Sequence, residues 1–276
     1  MTRHEHAGLG IGLTLTEDGH HLIQARALER MGYSTVWLAG GELQSLAPVA
    51  DIIRATETVR VGTGIIPIGL HDDATVLATY ADIERTDPGR FVVGLGAPQQ
   101  GRSPMSAMDA FLDSLDSAAD PIPQQRRFLA ALGPKKLAMA RQRFAGAIAL
   151  LVNPAYTAEA RRALGPDRQL IITQYTVVDT DAARARAVAR EPLSFLMQVP
   201  GYRSNAERLG FNEAEIDQLD DRLVDSLVSW GTAETVAAQL TEHYNAGADQ
   251  VVVSLLDTDA TRFIDSAAAL AERLIR

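Results

Sequence analysis

The chain has 276 residues, 46% hydrophobic and 22% charged, with a formal net charge of -9 and no cysteine. That length can bury a large core, and single barrels of about this size are ordinary. The acidic balance argues against a nucleic-acid partner, which wants a basic face, and the lack of cysteine excludes disulfides and thiolate chemistry.

The first ten residues, MTRHEHAGLG, hold no apolar stretch of the kind a secretory signal needs. No apolar run approaches the ~20 residues of a membrane span. The expectation is a cytoplasmic protein with neither membrane nor nucleic-acid partners.

Eight stretches read as strands, namely Leu9–Leu15, Thr35–Leu38, Arg60–Ile66, Phe91–Leu95, Arg127–Ala131, Ala147–Val152, Gln169–Val178 and Gln250–Leu255. Helical patterns fill most of the intervals. Met31-Gly32-Tyr33-Ser34 and Ala246-Gly247-Ala248-Asp249 both read as a helix end, a glycine cap and a lead into a strand. Ala74, Leu77, Ala78 and Ala81 make one face of a helix, followed by the turn Asp87-Pro88-Gly89-Arg90. The last helix carries Phe263, Ala267, Leu270 and Leu274 on one stripe. Alternating β and α units joined by glycine caps predict parallel pairing, and eight of them predict a (β/α)8 TIM barrel as one domain over residues 1–276. Ala97–Pro104 is short and polar. Pro200–Gly231 is an insertion between the seventh and eighth strands. Its run Ile216, Leu219, Leu223, Val224 and Leu227 is helical, and the segment is expected to pack beside the barrel mouth.

Ligands bind at the C-terminal ends of barrel strands. Gly62, Gly64, Gly94 and Gly96 lie toward those ends, where missing side chains let a flat ligand approach the backbone. After the fifth strand come Ala131-Leu132-Gly133-Pro134-Lys135-Lys136. Pro134 suits a first helical turn, and free N–H groups there, beside two lysines, make an anion site. The plain reading is a glycine–proline turn. His71 follows the third strand and is a candidate general acid, against a solvated loop histidine. Glu42 follows the second strand. It is a weaker catalytic candidate, because a helix-start glutamate is explained by the helix dipole alone. Tyr175 is expected to reach the pocket or simply to pack. His4 and His6 are expected to sit in a frayed terminus, His20 and His21 follow the first strand at the ligand-binding end but without partners, His243 reads as lying on the polar side of its helix, and no spacing suggests a metal site.

Four stretches carry a family resemblance. They are VRVGTGIIPI…RFVVGLG within residues 59–97, RFLAALGPKKLAMA at 127–140, PGYRSNAERLGF at 200–211 and AGADQVVV at 246–253. In this order they resemble the luciferase-like monooxygenase family, and most nearly its branch that uses the deazaflavin coenzyme F420. The resemblance implies a luciferase-like barrel and hydride transfer between F420 and a small organic substrate. FMN-dependent monooxygenation is the alternative. It further implies a bulge at Gly64-Ile65 under the coenzyme ring, often with a non-prolyl cis peptide. Ala131, Gly133, Pro134 and Lys135 would cradle the coenzyme phosphate. Arg203 and Asn205 match the family pattern and are expected to order the insertion. A homodimer is the expected assembly.

The sequence departs from the family in three places. Gly40 and Gly41 stand where members commonly carry an Asp, Glu or His after the second strand. Thr173 stands near where the related branch has an acidic residue, and the 97–104 loop is shorter than usual. These departures motivate a further alternative, a repurposed barrel with a binding or accessory role.

Overall fold

A computed structural model describes residues 8–98, 104–256 and 259–275. Its strands are β1 (Gly8–Gly12), β2 (Thr35–Leu38), β3 (Arg60–Thr63), β4 (Ile66–Pro67), β5 (Phe91–Gly96), β6 (Arg127–Ala130), β7 (Gly146–Leu150), β8 (Gln169–Val178), β9 (Val228–Gly231) and β10 (Gln250–Leu255). All pairings between them are parallel. The order β10-β1-β2-β3-β5-β6-β7-β8 closes on itself through β8–β10, so the sheet is a barrel of eight strands with β4 and β9 added. Each predicted strand is one of the eight.

Closure follows from burial on both faces. Outward-facing apolar side chains such as Val36, Val61, Leu129, Ile172 and Val253 join one core with the surrounding helices. Inward-facing Trp37, Val92, Phe128, Ile148, Ile171 and Val252 make a second core inside the barrel. Trp37 is too large for a closed barrel unless its neighbours give way. A Cβ on Gly62 would lie 2.6 Å from the indole, and one on Gly10 would lie 3.0 Å from its Nε1. Those two glycines are the slot for the ring. Its N–H donates to Gln250 Oε1 at 3.0 Å, which satisfies a buried donor. Gly62 therefore serves the barrel core and leaves no room for a ligand.

The predicted glycine caps are present. Gly32 and Gly247 have φ of 91° and 103°. The following N–H groups, Tyr33 and Ala248, reach back to the carbonyls of Leu28 and His243.

The structure corrects the insertion. The run Ile216–Leu227 is two helices, Glu213–Asp217 and Asp221–Leu227, because Leu219 turns left-handed at φ 49° and Asp220 caps the second. Its end, Val228–Gly231, is a strand. β7 pairs with β8 only as far as Thr173, while β8 runs on to Val178. That overhang exposes a backbone edge, and β9 covers it from Tyr175 to Val178. The insertion builds a third core from Val177, Leu193, Phe211, Leu223 and Val228. Arg203 pairs with Asp217 at 2.7 Å inside it.

His243 is also corrected. It is 2% exposed, with Nδ1 2.8 Å from Thr157 Oγ1, and it shares the buried face of helix Ala233–Asn245 with Val236 and Leu240. Burial pulls its pKa down to about 4. Among the described residues no helix is long and apolar enough to cross a membrane.

Candidate functional site at the barrel mouth

Side chains on a strand alternate, so residues two apart share a face. Two positions beyond the interior layer come Ala39, Gly94, Ala130, Leu150, Thr173 and Ser254. The interior layer is buried, whereas all of these except Gly94 are half-buried or exposed. The barrel is plugged by Trp37 and Phe128 and opens above them into a shallow bowl lined mainly by small residues. The opposite end holds a cavity of about 600 Å³ whose lining includes Glu29, Arg60, Arg90 and Arg126. There Arg90 donates to the carbonyls of Val59 and Glu57, and Glu29 accepts N–H groups from residues 57–59. Those two charges staple loops.

The wall of the bowl is broken at Gly64-Ile65. β5 pairs Val92 with Gly62 and Leu95 with Ile66, so three steps on β5 match four on the neighbouring strand. The extra residue is a bulge. Ile65 has φ of 153°, a region L residues rarely adopt. Gly64 N–H donates to Leu38 O at 2.5 Å. Thr63 Oγ1 accepts from Gly94 N–H at 2.9 Å. The cis peptide attached to this expectation is not present, since no peptide bond among the described residues is cis.

The bulge explains three glycines at once. A Cβ on Gly40 would sit 2.2 Å from Ile65 O, one on Gly94 2.1 Å from Thr63 O, and one on Gly96 2.4 Å from Ile65 Cδ1. The space over Gly94 and Gly96, expected to admit a flat ligand, is filled by the protein itself. Both glycines make room for the protein's own atoms: Ile65 covers Gly96, and Thr63 O with Ile148 Cδ1 covers Gly94.

The turn expected to hold an anion lies between the end of β6 and the start of helix Pro134–Arg143. Gly133 is the N-cap, Pro134 opens the helix, and neither a side-chain cap nor a first-turn acid competes for its N–H groups. A Cβ on Gly133 would meet nothing within 4 Å, so the space before the cap is open. Lys135 is exposed, and burial lowers the pKa of the half-buried Lys136. Ala131, 1% exposed, anchors the turn by its carbonyl, which accepts from Tyr156 Oη at 3.0 Å. Sequence reasoning missed Arg208, whose Nη2 donates to Leu132 O at 2.9 Å. It stands three residues after Asn205, and only that spacing on a short helix signalled it.

His71 is half-buried, and its Nε2 lies 2.9 Å from Leu43 O. A carbonyl can only accept, so Nε2 is the donor and Nδ1 is the ring nitrogen left to exchange a proton. Glu42 ends the short turn Gly40–Glu42; its side chain lies outside the described residues. His21 Nδ1 accepts from Thr16 N–H at 3.1 Å and so orders the loop after β1. Tyr175 is half-buried and packs on the insertion core from the top of β8. His4, His6 and residues 99–103 of the short loop lie outside the described residues. Among the described residues no group of three or more His, Asp or Glu could hold a metal ion.

Comparison with known proteins agrees with this layout. Residues 13–110 match the family described as luciferase-like monooxygenase. An F420-dependent secondary alcohol dehydrogenase in complex with an F420-acetone adduct has a similar fold, with a TM-score of 0.76 at 16% identity, covering 97% of this chain and 98% of that one. The chain resembles the luciferase-like monooxygenases.

Two further luciferase-like likenesses come from solved structures. The coenzyme F420-dependent tetrahydromethanopterin reductase from Methanopyrus kandleri has a TM-score of 0.74 at 15% identity, with 98% of each chain covered. The oxygenating constituent of 3,6-diketocamphane monooxygenase from Pseudomonas putida, a type II Baeyer-Villiger monooxygenase in complex with FMN, has a TM-score of 0.69 at 11% identity, with 97% of each covered. At these identities the likeness is one of fold. No curated protein matches the chain. Of the two glycines after the second strand, Gly40 has a steric cause, since it backs directly onto the Ile65 carbonyl, whereas a side chain at Gly41 would meet nothing nearer than 3.9 Å.

Proposed function

We propose that this barrel is an oxidoreductase that transfers a hydride between the deazaflavin coenzyme F420 and a small organic substrate. The observation that carries the reading is the Gly64-Ile65 bulge, interlocked with Gly40 and Gly96 above a plugged barrel. It is a rigid ledge at the end where such barrels bind ligands. The two F420-dependent enzymes of similar fold support it.

The residues fit such a coenzyme. Gly64 and Ile65 would bed the ring. Ala131, Gly133, Pro134 and Lys135, with Lys136 beside them, would hold the phosphate at a helix start that lacks a cap of its own. The coenzyme would supply the hydride chemistry. The chain supplies orientation, a small-walled bowl and one nitrogenous base. His71, fixed through Nε2 on Leu43 O, offers Nδ1 to take or return a substrate proton. Tyr175 would contact the substrate. Gly40 leaves no room for an acid and Gly41 supplies none, so proton transfer would fall to His71, with Glu42 the other candidate.

FMN-dependent monooxygenation is the second reading, favoured by the likeness to the FMN-bound monooxygenase and served by the same turn. The Gly40 interlock also favours a third, a repurposed accessory barrel. Titration of the purified chain with F420 and with FMN, followed by absorption and fluorescence, separates them. F420 binding in preference to FMN is expected. FMN binding alone would move the assignment to the second reading, and binding of neither to the third.

A further inference from the structure

We propose that Arg208 is a positioning residue of the mouth, which fixes the turn Ala131–Gly133 by gripping the Leu132 carbonyl. Its bearing on the coenzyme rests on the reading above.

Helix Pro200–Arg208 belongs to the insertion, yet it reaches two strand ends. Arg208 Nη2 donates to Leu132 O at 2.9 Å and to Asn205 Oδ1 at 2.8 Å. Asn205 is 1% exposed, and its Nδ2 donates to Leu151 O at 3.4 Å. The two side chains lie three residues apart, one above the other on a helix face. Together they tie the ends of β6 and β7 to the insertion. Both ends need holding. Leu151 is left-handed at φ 56°, a conformation a leucine adopts only when its surroundings enforce it. Leu132 leads into Gly133, a cap with no side chain to fix it.

Tyr156 grips the same place from behind, with Oη 3.0 Å from Ala131 O and 3.1 Å from Leu132 O. Tyr156 is buried, and its loss would open a hole in the core. Arg208 is exposed, so removing it tests the grip without a cavity. The orientation of the first N–H groups of helix Pro134–Arg143 then depends on where Leu132 O is held. Both bonds leave from the one terminal nitrogen Nη2, and a lysine keeps the charge but places its nitrogen one bond nearer its own backbone, short of the Leu132 carbonyl. Arg208→Lys should therefore behave like Arg208→Ala.

The full chain, Arg208→Ala and Arg208→Lys are compared in two ways. In coenzyme-free protein, amide exchange at Ala131 and Leu137, whose N–H groups are held by the carbonyls of Ile148 and Gly133, should quicken at least tenfold in both variants, since one hydrogen bond to a charged donor is worth about that factor. In titrations, the phosphate-bearing coenzyme bound by the wild type should bind about tenfold more weakly to both, while phosphate-free riboflavin binds as to wild type. Unchanged exchange in both variants overturns the grip, whatever binds. Full coenzyme affinity in Arg208→Lys would mean a direct charge contact in place of positioning. An equal loss for riboflavin would mean a general structural role. If the wild type binds neither F420 nor FMN, the coenzyme reading has failed, and the exchange result still decides the grip.

Discussion

Replacing Gly40 with alanine should break the site, whereas the same change one residue later should not. A Cβ at Gly40 would stand 2.2 Å from Ile65 O and 2.4 Å from Ile65 C, against the 3.4 Å at which ordinary contact begins. The backbone must part by more than 1 Å. On the far side the bulge is held by the Ile66–Leu95 pairing and by Gly64 N–H on Leu38 O, so it cannot yield freely. Overpacking of a fixed interior typically costs about 1–3 kcal/mol, and a backbone-on-backbone clash belongs at the upper end. A Cβ at Gly41 would find its nearest neighbour at 3.9 Å. Neither glycine has a left-handed φ and both sit in the same short turn, so backbone preference cancels between them. Urea and thermal unfolding should put Gly40→Ala about 3 kcal/mol below wild type, roughly 6–12 °C in Tm for a chain of this size. Gly41→Ala should fall within about 0.5 kcal/mol. Equal stability of the two variants would refute the interlock between Gly40 and the bulge, and with it the steric reason for a glycine at position 40.

The Lys135→Glu, Lys136→Glu double variant should bind coenzyme more weakly and with a flatter dependence on salt, because charge attraction is what ionic strength screens; unchanged affinity would remove this turn from the site. His71→Ala should lower turnover by ~10²-fold or more, and Glu42→Gln by well under that. A hundredfold loss in Glu42→Gln at unchanged coenzyme binding would reverse the two roles. His243 stays neutral in the fold until about pH 4, while an unfolded histidine protonates near 6.5. The unfolded chain thus binds the extra proton between those values. Stability contributed by this site is complete above pH 6.5 and declines by about 3 kcal/mol as pH falls toward 4. Urea midpoints for wild type and His243→Asn across that window should differ in slope, and parallel slopes would show that other groups set the acid limit.

Local patterns in the sequence were enough to specify the barrel. Buried parallel strands are apolar throughout, glycines end helices, and both signals are carried by neighbours in the chain. The turn into helix Pro134–Arg143 was legible for the same reason, because Gly133 and Pro134 lie side by side in the chain. Contacts between distant segments were not legible. The strand Val228–Gly231 exists because β8 overhangs β7, and no property of those four residues announces that edge. Arg208 and Tyr156 reach the Leu132 carbonyl from helices 76 and 24 residues away in the chain. The glycines were seen but given the wrong reason. From sequence, an absent side chain beside a binding site reads as room for a ligand. Only the folded chain decides what fills the room, and here Trp37, the Ile65 side chain and the carbonyls of Thr63 and Ile65 take it, because register across four strands brings them there.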